Sequence, residues 1–191
     1  MVAGIALLAL LVVLVVRVFD GGSGGAPAGA VTPQSGMGLP QPGTRAATDI
    51  SQLSPEERAD RLYNRVMMLA SEGKTDSVAF FAPMAIQAYE MLGPLNDDQH
   101  YDVGRVAAIA GDARVARAHA DSILARSPDH LLGLILATNA AELRGDAAAA
   151  AGYRRRLLAA EQAETARNLP EYERHRQEIV AAVAAARGGQ R

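Results

Sequence analysis

Histidine is the side chain best suited to proton transfer or metal binding near neutral pH, and this chain carries four, at His100, His119, His130 and His175. Intervals of 19, 11 and 45 residues give no i, i+4 pair and no H-E-x-x-H run, so no helix presents two of them side by side to a metal. They read as solvated histidines on helix faces. His119 lies close to Asp121 and Ser122, but neighbours on a helix point in different directions and cannot form a Ser-His-Asp relay. No cysteine is present, which removes thiol catalysis, disulfides, iron–sulfur clusters and cysteine zinc sites together. Lys74 is the sole lysine, in an expected turn. The basic run Arg154-Arg155-Arg156 is followed by Glu161 and Glu164, the pattern of a solvated helix face. A net charge of −2 offers no basic footprint for nucleic acid. These residues predict no enzyme, cofactor, metal or nucleic-acid partner. Three Phe, five Tyr and no Trp speak against a β-sandwich, whereas 39 alanines in 191 residues suit closely packed helices.

The elements that must position any site fall into three compositional blocks. Residues 1–19 are apolar except for Arg17. As a helix they would reach roughly 28 Å, enough to cross a bilayer. The alternative is a cleaved signal peptide, for which Ala28-Gly29-Ala30 resembles a cleavage site although a basic leader is missing. Residues 20–50 hold GGSGG and four prolines and predict a disordered tether with a span of roughly 30 Å. A chain that opens inside its own anchor suggests an earlier true start. Arg17 alone does not fix orientation, and taken literally it would hold the helical domain in the cytoplasm; the layout resembles bacterial single-pass proteins with a helical repeat outside, which implies a helical domain outside the cytoplasm of a bacterial inner membrane, with a cytoplasmic domain as the alternative.

Residues 51–187 are the block that can fold, with residues 188–191 as a tail. Ser54-Pro55-Glu56-Glu57 is a helix start, with Ser54 as cap, Pro55 at the first helical position and Glu57 closing a capping box. Helix breaks are expected at Gly73 and Gly93-Pro94, a cap at Thr75 or Asp76 and a kink at Pro83. Gly111-Asp112 recurs 34 residues later as Gly145-Asp146, and Ala116 recurs as Ala150. Hairpins over 55–92, 97–130 and 131–167 follow. A last helix over 170–187, apolar at Ile179, Val180 and Val183, fits a cap.

This pattern resembles the tetratricopeptide repeat family, whose period is 34. Val103-Gly104 stands at the family's Leu-Gly position, Ala116 at its small helix-B position and Pro128 at its terminal proline. His100, Ala107 and Ala120 depart from the family's larger residues; the next copy keeps Ala150 but has Arg154 at the Phe position and Gln162 in place of proline. The resemblance implies an all-α, right-handed α-solenoid of about three hairpins plus the cap, with Gly104, Gly111, Ala116, Pro128, Gly145 and Ala150 as packing and turn positions. It places Gly104 and Ala116 where the two helices of one hairpin cross.

It also implies a concave groove that captures a protein or peptide, lined by Asp98, Tyr101, Arg105 and Ile109 in the central repeat and by Leu132, Ile135, Asn139 and Glu142 in the next. A clamp for a terminal carboxylate is matched only by Asn139 and, less closely, Arg105. Tyr101, Leu132 and Ile135 would hold an extended or helical segment, with Arg105 and Asn139 setting its register. Leu131 to Leu136 is apolar on nearly every side, so Leu132 and Ile135 read first as core, with the groove as the alternative. The expectation is a membrane-tethered adaptor; the alternative is a scaffold or self-associating component of an envelope complex.

Overall fold

The computed structural model describes residues 53–189, and 80% of them are helical with no strand among them. The anchor expected over 1–19, the linker over 20–50 and the last two residues lie outside the described residues. No described helix is long and apolar enough to cross a membrane.

Eight helices run α1 Pro55–Ser71, α2 Thr75–Glu90, α3 Asp97–Ile109, α4 Ala113–Arg126, α5 Leu131–Leu143, α6 Ala147–Thr165, α7 Pro170–Arg174 and α8 Arg176–Gly188. Successive pairs α1/α2, α3/α4 and α5/α6 pack as hairpins, and α4 also packs along α5. The first helices of the hairpins, α1, α3 and α5, lie side by side in that order, with α8 beside both α5 and α6.

Local chemistry explains the punctuation. Ser54 accepts from the Glu57 amide while the Glu57 carboxylate accepts from the Ser54 amide, and Asn96 with Gln99 does the same for α3. At the end of α3 the Gly111 amide donates to Ala108 and the Asp112 amide to Ala107; Gly145 and Asp146 repeat both bonds onto Glu142 and Ala141. This left-handed termination needs φ of +84° at Gly111 and +70° at Gly145, which a side chain resists by about 1–2 kcal/mol. Each Asp then caps the following helix through its side chain. Ser127, extended before Pro128, ends α4 at Arg126.

Several elements differ from expectation. Lys74, with no side-chain cap bond, precedes α2 in place of a capping Thr75 or Asp76. Pro83 does lie within α2, on its exposed face. The terminal helix breaks at His175, where φ −106° and ψ 23° leave the helical range. Gly104 is small for another reason: a Cβ there would lie 2.2 Å from Leu136 Cδ2, so the close approach is to α5 of the next hairpin. Gly133 plays the matching part on α5, facing Ile123 and Leu124 of α4.

Two apolar cores result. One joins α1 and α2 with Val103 and Val106 of α3; the other runs from Tyr101 through α4, α5 and α6 to Tyr172, Ile179 and Val183 of the terminal helices. The terminal pair α7–α8 is therefore anchored in the core as well as by the polar bonds described next.

Candidate functional site

The capping box at Asn96 sets the phase of α3 so that Asp98, Asp102 and Arg105 follow one another along a single face at i, i+4 and i+7. Residues of α7 and α8 meet that face. Arg174 donates to Oδ2 of both carboxylates, at 2.7 Å to Asp102. His175 Nε2 lies 3.0 Å from Asp98 Oδ1 and 3.5 Å from Asp102 Oδ1. Arg105 pairs with Glu178 and donates to the Tyr63 hydroxyl at 2.9 Å, drawing α1 into the network. Tyr89 on α2 places its hydroxyl 2.9 Å from Asp60 and 3.0 Å from Asp102.

Burial and charge compete here. Burial raises the Asp98 carboxyl, but the His175 hydrogen bond and the Arg174 charge outweigh it and hold Asp98 below its ordinary value. Asp102 is fully buried, and burial pushes it up to about 6 in spite of Arg174 and His175. Burial raises Glu178 too, yet a hydrogen bond from its own backbone amide and the Arg105 charge bring it below the usual carboxylate range. The phenols of Tyr63 and Tyr89 are raised, first by burial and then by Asp102.

The residues expected to line a groove separate into four places. Asp98 and Arg105 are engaged by the chain's own α7–α8, and Tyr101, 2% exposed, packs its ring edge-on to His175 at 4.6 Å between centroids. Leu132 is wholly buried and Ile135 is 5% exposed, and both belong to the second core, on the core side of the two readings left open for them. Ile109 is exposed and borders a separate cavity of about 490 Å³ between the turns of the first two hairpins. Ile135, Asn139 and Glu142 do come together, in a cleft of about 260 Å³ whose walls include Arg154 and Leu157 of α6 and Ala182 and Ala185 of α8. Glu142 pairs with Arg154 at its rim.

No protein-family model, curated protein or solved structure matches this chain.

The histidines differ most from expectation. His130 and His175 are 1% and 2% exposed, and His100 and His119 face each other with Nδ1 atoms 2.9 Å apart. Burial, then His119 and Arg126, push His100 down to about 4; burial also lowers His119, and it lowers His130 despite the Glu171 bond. Their partners lie on other helices, so spacing along one helix carried no sign of them. Asp102 and the Arg174-His175 pair were equally missed. The one available signal was an acidic i, i+4 pair followed by Arg105, a charged stripe beside Tyr101 and Val103.

Proposed function

We propose that this chain is a membrane-tethered, tetratricopeptide-like adaptor that captures a protein partner without covalent chemistry, its helical domain displayed outside the cytoplasm of a bacterial inner membrane. The observation that carries this reading is the cleft between α5, α6 and α8, where Ile135, Asn139 and Glu142 stand against Leu157, Arg154 and the small residues Ala182 and Ala185. Its volume of about 260 Å³ is below the roughly 300–1,000 Å³ of cofactor and small-molecule pockets. It suits an anchoring side chain of a bound segment. Ile135 and Leu157 supply an apolar floor, the Asn139 amide can bond a peptide backbone, and the Glu142–Arg154 pair can exchange partners with a charged side chain. Asp98, Tyr101 and Arg105 are occupied within the chain, so the partner engages the α5 end of the expected groove.

A specific observation favours the scaffold alternative. Phe80, Met84 and Met91 share one face of α2 and its C-cap, at 67%, 37% and 66% exposure. In-cell photo-crosslinking separates the two readings, with the reactive residue at Glu142 in one variant and at Phe80 in another. A heterologous adduct from Glu142 that disappears with Asn139→Ala supports capture at the cleft. Crosslinks between copies from Phe80, with none from Glu142, support self-association and remove the adaptor reading.

A further inference from the structure

The junction of α3 with α7 holds acceptor atoms that its donors leave unsatisfied. Asp102 is fully buried, and its Oδ1 accepts no hydrogen bond. Tyr89 has a single proton to offer two carboxylates, Asp60 and Asp102, at 2.9 and 3.0 Å. Arg174 occupies the Oδ2 atoms of Asp98 and Asp102, which leaves both Oδ1 atoms facing His175 Nε2 at 3.0 and 3.5 Å. One ligand atom from each of Asp98, Asp102 and His175 lies within 4.8 Å of the others.

We propose that Asp98, Asp102 and His175 form a binding site for a zinc-like divalent cation that clasps the terminal helices to α3. Metal–oxygen and metal–nitrogen bonds of about 2.0–2.2 Å at tetrahedral angles set ligand atoms roughly 3.3 Å apart, and the two measured separations bracket that value. Two carboxylate oxygens and one imidazole nitrogen are a donor set zinc accepts, with a fourth position for water. Arg174, on the oxygens turned away from the cation, orients both carboxylates from outside. A cavity of about 440 Å³ reaches Asp98 and Arg174, and is lined as well by Asp97 and Glu171 of the neighbouring cluster. The site also accounts for the break between α7 and α8: the non-helical backbone at His175 carries its imidazole onto the two carboxylates. Asp97, His130 and Glu171 form a second cluster, in which Arg126 takes Asp97 Oδ1 and His130 Nδ1 is buried without a hydrogen bond; it offers no buried carboxylate oxygen left unpaired as Asp102 Oδ1 is, and serves as the comparison.

The rival arrangement has no cation, with the His175 imidazole hydrogen-bonding the aspartates directly. The full chain in detergent, made without a histidine tag and stripped with chelator, distinguishes them by cobalt(II) spectroscopy and zinc calorimetry. The site predicts one equivalent bound, the visible absorption of tetrahedral cobalt(II), and a melting temperature raised by zinc. Outer partners of a metal site cost roughly 10–100-fold in affinity when removed. Arg174→Met is expected in that range, Asp102→Asn and His175→Gln at or beyond its upper end, and Glu171→Gln at the wild-type value. Should His175→Gln fail to fold by circular dichroism, Asp102→Asn and Asp98→Asn carry the test. Absence of the cobalt spectrum overturns the proposal in favour of direct hydrogen bonding by His175; wild-type affinity in Asp102→Asn, or loss of binding through Glu171→Gln, overturns it by placing the metal elsewhere.

Discussion

Gly104→Ala adds one methyl group to the middle of α3, and two opposing effects set its cost. Alanine is the better helix former by about 1 kcal/mol. The new carbon, however, would lie 2.2 Å from Leu136 Cδ2 and 3.1 Å from both its Cδ1 and Cγ, and Leu136 is fully buried. Relief requires Leu136 to leave its rotamer or α3 to move from α5, and overpacking of this kind costs about 1–3 kcal/mol. The net expectation is a loss of about 0–2 kcal/mol. Leu136→Ala alone removes a core side chain and costs about 2–5 kcal/mol. In that background the overlap is gone, so Gly104→Ala becomes stabilising by about 1 kcal/mol. The cycle therefore predicts a coupling of about 1–3 kcal/mol, with the sign of Gly104→Ala reversing between backgrounds. Urea unfolding of the fragment 47–191, which contains the compact unit Ala47–Arg191, reads all four corners, provided the denaturant slope stays constant. A coupling below about 0.5 kcal/mol, or stabilisation by Gly104→Ala in the wild type, would refute the close approach of α3 to α5.

Two further outcomes follow from the polar groups. Arg174→Met, measured by urea unfolding with chelator present, leaves the buried Asp102 carboxylate without its cation and should cost about 2–4 kcal/mol, reduced from the roughly 3–5 kcal/mol of a fully buried broken pair because Arg174 is partly exposed. Adding Asp102→Asn should recover most of that loss, and a double variant no more stable than Arg174→Met would show that the guanidinium acts through packing alone. His100, pushed from its ordinary 6.5 down to about 4, leaves the unfolded chain binding a proton that the folded chain refuses between those values. That contribution to stability is present above pH 6.5 and lost as pH falls towards 4. Asp102, raised to about 6, works in the opposite direction over part of the same window, since the folded chain there holds a proton that the unfolded chain releases. His100→Asn should therefore flatten the acid limb by up to about 1.4 kcal/mol per pH unit relative to wild type. An unchanged limb in stability measured from pH 7 to pH 4 would remove His100 as its source.

The legible part of the candidate site was its α5 portion. Ile135, Asn139 and Glu142 share a helix, and one helix keeps its i, i+4 and i+7 relations in any fold that leaves it intact. The central portion was legible as a stripe on α3 and misread as open, because nothing in the residues Asp98, Tyr101 and Arg105 tells whether a partner or the chain's own terminus covers them. Gly104 shows the same limit: its size restriction was visible, while the neighbour enforcing it was assigned to α4 and is Leu136 of α5.

The sequence by itself determined the helices of the three hairpins, the turns between them and most of their caps, the start of α2 at Lys74 and the break at His175 excepted. Those depend on interactions within about five residues, such as the bonds from Gly111 and Asp112 back to Ala108 and Ala107. The tertiary structure alone decided which charges meet. Arg174 finds Asp98 and Asp102 across 76 and 72 residues, and His130 finds Glu171 across 41. These pairings arise because the Asn168-Leu169-Pro170 turn brings α7 and α8 back across α5 and onto α3, where burial gives short polar contacts a strength they lack in water. Spacing along the chain encodes local geometry; the return of the terminal helices is a global choice, made by the packing of Tyr172, Ile179 and Val183 into the core.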